Sequence, residues 1–113
     1  MNTKKSLATL LLMVTAPLAL AEPDKAPAGA ELFKQRTCAA CHAEKSKTVG
    51  PSLEQLRSKH AQATAEEIQL LAVKAKSGGS GVWGTIPMPP QPHVSEEDIQ
   101  KIVAWMVAQP AQP

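Results

Sequence analysis

Phe33, Trp83 and Trp105 are the only aromatic residues in this chain of 113, and it has no tyrosine. A chain of that length holds one domain, and domains so short bury proportionally little surface. With few large side chains to fill its middle, the fold needs a supplement: a disulfide, a metal or a bound apolar group.

The first 21 residues do not contribute to that core. Lys4 and Lys5 precede an apolar stretch from Leu7 to Ala16, and Ala19-Leu20-Ala21 has the small-x-small form of a cleavage site, so residues 1–21 read as a cleaved secretory signal peptide and 22–113 as the mature domain. The apolar stretch falls short of the roughly 20 residues that span a bilayer and is interrupted by Pro17, which argues against a stable membrane insertion. No cysteine precedes Cys38, so the leader offers no thiol for a lipid anchor. In a bacterium, export leads to the periplasm, an oxidising compartment. The formal charge of +2 vanishes once Lys4 and Lys5 leave, since the remaining Lys and Arg then balance the 10 acidic residues. A neutral chain without a basic cluster is a poor ligand for phosphate backbones, so no nucleic-acid partner is expected.

Helix signals punctuate the mature chain. Residues Gly29 to about Thr37 predict a short helix running into Cys38. Ser52 with Gln55, and Thr64 with Glu67, form reciprocal capping patterns that open helices at about Leu53 to Lys59 and from Thr64 to the Ser77-Gly78-Gly79 stop. Ser95 caps a fourth, with Glu96, Glu97 and Asp98 at the positive end of its dipole, Val94 stapled onto Ile99, and Pro110 as terminator. Its buried face is Ile99, Ile102, Val103 and Met106. No segment alternates as a strand would, so the fold class is all-α, with four short helices and long connections. Residues 78–92 have neither period; their four prolines and the apolar Val82, Trp83, Ile86 and Met88 describe a stiff loop packed onto something rather than a linker.

Cys38-Ala39-Ala40-Cys41-His42 is a C-x-x-C-H sequence, the pattern of covalent c-type haem attachment. Two thiols three positions apart can add to the two vinyl groups of one porphyrin, and the adjacent imidazole then falls beneath the iron. A disulfide would need no His42 and would leave the sparse core unexplained; a thioredoxin-like pair wants a βαβ context; a zinc site lacks a fourth strong ligand beyond His60 and His93. For the sixth position, Met1 and Met13 leave with the leader and Met106 belongs to a helical core face, which points to Met88, held between Pro87 and Pro89. His93 is its one competitor, and both His60 and His93 read as solvent-exposed. A His42/Met88 pair raises the reduction potential and closes the iron to exogenous ligands.

With Val49-Gly50-Pro51, Gly81-Val82-Trp83-Gly84 and Ile86-Pro87-Met88-Pro89-Pro90 following the haem motif in that order, the chain from Ala30 to Gln109 resembles the class I c-type cytochromes, most closely the short c-551 type. The resemblance implies four helices wrapped around one covalent haem c per chain. It also implies a Pro51 carbonyl orienting the His42 ring, a Trp83 indole donating to a haem propionate, and Phe33 and Trp105 packed between the first and last helices. It implies a periplasmic carrier, not an enzyme, passing single electrons from a respiratory donor complex to a terminal oxidase or reductase, as a monomer. The alternative is a haem-based ligand binder or weak peroxidase with an open sixth site. The chain departs from the c-551 pattern at Lys74, where Arg is common, and at Gln91, where Asn is common. Docking is expected through an apolar rim including Ile86, Pro87, Pro89 and Pro90, with Lys45 and Lys47 only orienting the encounter.

Overall fold

A computed structural model describes residues 28–109; the leader, its cleavage site and the Pro110 terminator lie outside them. Four α-helices follow in the order α1 (Ala28–Gln35), α2 (Leu53–Lys59), α3 (Ala65–Ser77) and α4 (Glu96–Val107), with a single 3₁₀ turn at Cys38–Ala40 between α1 and α2. Among the described residues the only β pairing is two isolated bridges, so the all-α expectation holds.

The caps explain where the later helices begin. Ser52 Oγ accepts the Gln55 N–H at 3.1 Å while Gln55 Oε1 accepts the Ser52 N–H at 3.0 Å. Thr64 and Glu67 make the same reciprocal pair for α3. Ser95 Oγ accepts the Asp98 N–H at 3.1 Å, so each of these helix starts satisfies one of its orphan donors locally.

Helix α4 is the element on which the others converge. Ile99, Ile102, Val103 and Met106 are buried along it and join Phe33 of α1, Leu53 of α2, Ala72 of α3 and the staple residue Val94 in one core. The α1–α4 crossing is very close: a Cβ at Gly29 would fall 2.3 Å from the Lys101 carbonyl oxygen and 2.5 Å from Trp105 Cβ. That approach brings Phe33 against Trp105, ring centroids 5.0 Å apart and tilted by 51°, a favoured aromatic geometry. Burying the Phe33 side chain contributes about 1.5–3 kcal/mol. The Arg57 guanidinium also lies over Trp105, 5.8 Å from the ring centroid, and pairs with Glu44.

One boundary differs from the sequence expectation. Helix α1 ends at Gln35 rather than running into Cys38, because Thr37 takes a left-handed conformation with φ of 62°. A β-branched residue rarely adopts it, and there it stops the helix and redirects the chain into the 3₁₀ turn. Nothing in residue type signals this, since Thr37 is an ordinary helix-end residue by composition.

Candidate functional site

Three residues per turn place side chains at i and i+3 on the same side of a 3₁₀ helix, so the turn beginning at Cys38 presents Cys38 and Cys41 together. Both thiols are unpaired and half-buried. Burial pushes the Cys38 thiol above its ordinary pKa, and the nearby Cys41 adds to that, against a hydrogen bond that lowers it. The Cys41 and His42 N–H groups both donate to the Cys38 carbonyl, at 3.1 and 3.0 Å, which fixes the path from thiol to imidazole.

His42 is buried. Its Nδ1 lies 2.8 Å from the Pro51 carbonyl oxygen, and a carbonyl can only accept, so Nδ1 donates in this contact and Nε2 is the ring nitrogen left to meet a ligand. The segment between them folds back tightly: Gly50 N–H donates to the Cys41 carbonyl at 2.9 Å, and the Thr48 hydroxyl donates to that same oxygen at 2.8 Å. A Cβ at Gly50 would lie 2.7 Å from His42 Cε1. The glycine therefore lets the backbone lie against the imidazole edge. The sequence signals this role of Gly50 only through its placement directly before Pro51.

Residues 78–94 form the second half of the site, packed on the C-terminal end of α3. Gly79 and Met88 exchange two hydrogen bonds, Gly79 N–H to Met88 O at 3.0 Å and Met88 N–H to Gly79 O at 2.8 Å, closing residues 79–88 into a loop with an inner turn from Gly81 to Gly84. Between 87 and 92 only Met88 and Gln91 have a backbone N–H, the rest being proline. Met88 donates to Gly79, just past α3, and Gln91 to the Lys76 carbonyl at 2.8 Å, one of the helix's orphan acceptors. Gly78 makes this seating possible, with φ of 72° and ψ of −171°, a region that essentially only glycine occupies. A Cβ there would lie 2.5 Å from the Met88 carbonyl oxygen.

Trp83 is half-buried beside α2, with the Lys59 ammonium 5.6 Å from its ring centroid. Lys47 donates to the Trp83 carbonyl oxygen at 3.2 Å, so it ties the loop after His42 to the Met88 loop instead of serving encounter steering alone. Val49, Val82 and Ile86, on these same two segments, are exposed. Gln91 turns its amide onto the Pro89 carbonyl, a local contact at 3.0 Å, and Lys74 is exposed on α3. His93 is exposed as expected, whereas His60 is half-buried as the C-cap of α2, where the Ala63 N–H folds back onto its carbonyl. Burial, and then the Lys59 charge, lower the His60 pKa.

The donor set is one imidazole with a free Nε2, two thiols on one side of a turn, and a thioether on a proline-stiffened loop, with apolar side chains exposed beside them. This suits a porphyrin iron, and it suits no cluster of hard ligands: among the described residues no three His, Cys, Asp or Glu side chains converge.

Comparison with known proteins agrees. The family model for cytochrome c matches residues 26–109. The chain is 47% identical over 79 residues to cytochrome c-551 of Azotobacter vinelandii, covering 70% of this chain and 94% of that protein. It is 40% identical over 105 residues to cytochrome c-551 of Pseudomonas aeruginosa, covering 93% and 98%. Among solved structures, the crystal structure of wild-type Nitrosomonas europaea cytochrome c552 superposes with a TM-score of 0.64 at 42% identity, over 69% of this chain and 95% of that one.

Proposed function

Because the chain belongs to the class I c-type cytochromes, in the c-551/c-552 family, and is therefore an electron-transfer protein rather than an enzyme, we propose that it shuttles single electrons in the periplasm between respiratory partners. One haem c, tethered by Cys38 and Cys41 and ligated by His42 and Met88, supplies the one-electron iron couple. The observation that carries the reading is the 2.8 Å contact between His42 Nδ1 and the Pro51 carbonyl, which leaves a buried imidazole with Nε2 as its only ligating atom.

Each residue then has a physical task. Pro51 holds the tautomer and the ring plane, and Gly50 removes the side chain that would push the ring aside. The thioether of Met88 is soft and favours the ferrous state, while the proline-flanked backbone keeps the sulfur in place in both oxidation states, which keeps reorganisation small. Trp83 donates its indole N–H to a propionate. The partners are a respiratory donor complex and a terminal oxidase or reductase, met through Ile86, Pro87, Pro89 and Pro90, all exposed. Transient redox interfaces are small, and a neutral apolar one loses little association rate with salt. Residues 1–21, as a cleaved leader, deliver the chain to the periplasm.

Visible spectra of the oxidised and reduced protein test this reading, with haem retention after denaturation and Met88→Ala beside them. Expected are covalent haem, a ferric sulfur-to-iron charge-transfer band that Met88→Ala abolishes, and no carbon monoxide binding by the native ferrous protein. Haem lost on denaturation, or ready carbon monoxide binding, overturns the reading; the second result would favour an open-site ligand binder.

A further inference from the structure

The backbone anchors described above hold the Met88 segment at Gly79 on one side and at Gln91 on the other. One charged side chain adds to the hold on the C-terminal side. Lys76, on the last turn of α3, is half-buried and donates its ammonium to the Val94 carbonyl oxygen at 2.6 Å. A lysine ammonium is strongly hydrated, and partial burial is tolerated only where a charge-assisted hydrogen bond replaces the lost water. The acceptor belongs to a residue that is itself fixed, since Val94 is buried in the core against α4.

Lys76 therefore makes two contacts with one short turn. Its carbonyl accepts the Gln91 N–H, its ammonium reaches Val94, and the Val94 N–H closes the turn onto the Gln91 carbonyl at 3.3 Å. On the N-terminal side, Gly79 is doubly bonded to Met88. Only Pro89 and Pro90 lie between the two anchors, and their φ angles are locked. Displacing the Met88 backbone thus requires giving up the Gly79 pair or rotating the Gln91–Val94 turn away from Lys76.

We propose that Lys76 is a positioning residue for the Met88 thioether, its ammonium holding the Gln91–Val94 turn on α3 and so slowing the departure of the sulfur from the iron. This rests on the reading of Met88 as axial ligand. Removing the ammonium accelerates opening of the 88–94 segment while the α1–α4 core stays intact.

The test uses the ferric holoprotein, with imidazole as the probe. At saturating imidazole, the binding rate is limited by the rate at which Met88 leaves. Lys76→Met, which keeps the aliphatic stem and loses the donor, is expected to raise that rate roughly tenfold, as befits the loss of one charge-assisted hydrogen bond. Lys76→Arg, still a cationic donor, is expected to remain within about threefold of the parent. Lys101→Met, which removes an exposed lysine paired with Glu97 on α4, is expected to leave the rate unchanged. A Lys76→Met rate within about twofold of the parent, or one that rises only in proportion to a loss of global stability, overturns the proposal. If Met88→Ala abolishes the charge-transfer band and Lys76→Met leaves the rate unchanged, the lysine role alone fails; if Met88→Ala retains the band, the ligand reading fails with it. Should Lys76→Met not fold, native-state hydrogen exchange of the parent decides: the Gln91 and Met88 amides should exchange through one shared opening, and an unprotected Gln91 amide overturns the assignment.

Discussion

The α1–α4 crossing and the 78–94 loop are both built on close approaches at a glycine, yet they are stabilised in opposite ways. At the crossing, Gly29 lets side chains interlock, with Phe33 on Trp105 and the apolar face of α4 behind them. In the loop, Gly78 lets main chain meet main chain, and order comes from hydrogen bonds to the end of α3 and from prolines that cannot rotate. Stability is concentrated in the first and, on the proposed reading of Met88, placement of its thioether in the second, so damage to each should be read by a different instrument.

Substitution at the crossing should give the largest effect. Phe33→Ala removes the ring packed on Trp105 and should destabilise the protein by about 3–5 kcal/mol, seen in denaturant unfolding of the holoprotein. A loss below about 1 kcal/mol would mean that bound haem rather than the helix crossing dominates stability, and the division between the two regions would fall. Gly78→Ala strikes the loop instead, since the residue is held at φ of 72° with the Met88 carbonyl in the way. It should cost about 1–3 kcal/mol and weaken the ferric charge-transfer band while far-ultraviolet circular dichroism keeps its helical signal. A band unchanged by Gly78→Ala would break the link between loop seating and sulfur placement.

Ser52→Ala probes the junction between the two regions, because Ser52 is fully buried, caps α2 and follows the Pro51 whose carbonyl faces His42. About 1 kcal/mol of stability should be lost. The smallest effect concerns His60. Its pKa is lowered chiefly by burial, then by Lys59, with Lys74 adding and Glu67 opposing. The folded state thus favours the neutral ring, so this contribution is complete above the ordinary histidine value of 6.5 and is lost as pH falls through the lower folded value. The melting temperature should dip slightly over that range, and His60→Gln should flatten the dip.

Much of this division was legible in the sequence, for physical reasons that differ by element. Capping is local chemistry, and Ser52, Thr64 and Ser95 each mark a helix start that the structure reproduces. The spacing of Cys38, Cys41 and His42 and the prolines around Met88 are equally local, which is why the candidate site could be read from residue order. What escaped were contacts between segments distant in sequence. Gly50 against the imidazole, Gly78 against the Met88 carbonyl, and Lys47 on the Trp83 carbonyl all depend on how two stretches of backbone meet, and no periodicity encodes that. The left-handed Thr37 escaped because a β-branched residue rarely adopts that conformation, so its residue type does not announce it.

The proline pair between Met88 and Gln91 works as a gauge of fixed length. A residue inserted or deleted there would put the two amide donors out of step with their acceptors and carry the sulfur away from its mark. The Gly81–Gly84 turn lies on the far side of the Gly79–Met88 pairing and can lengthen without disturbing that spacing. Tolerance to length change should therefore be absent within three residues of the methionine on its C-terminal side, whereas a longer Gly81–Gly84 turn would spare that spacing and displace Trp83 from Lys47 and Lys59 instead.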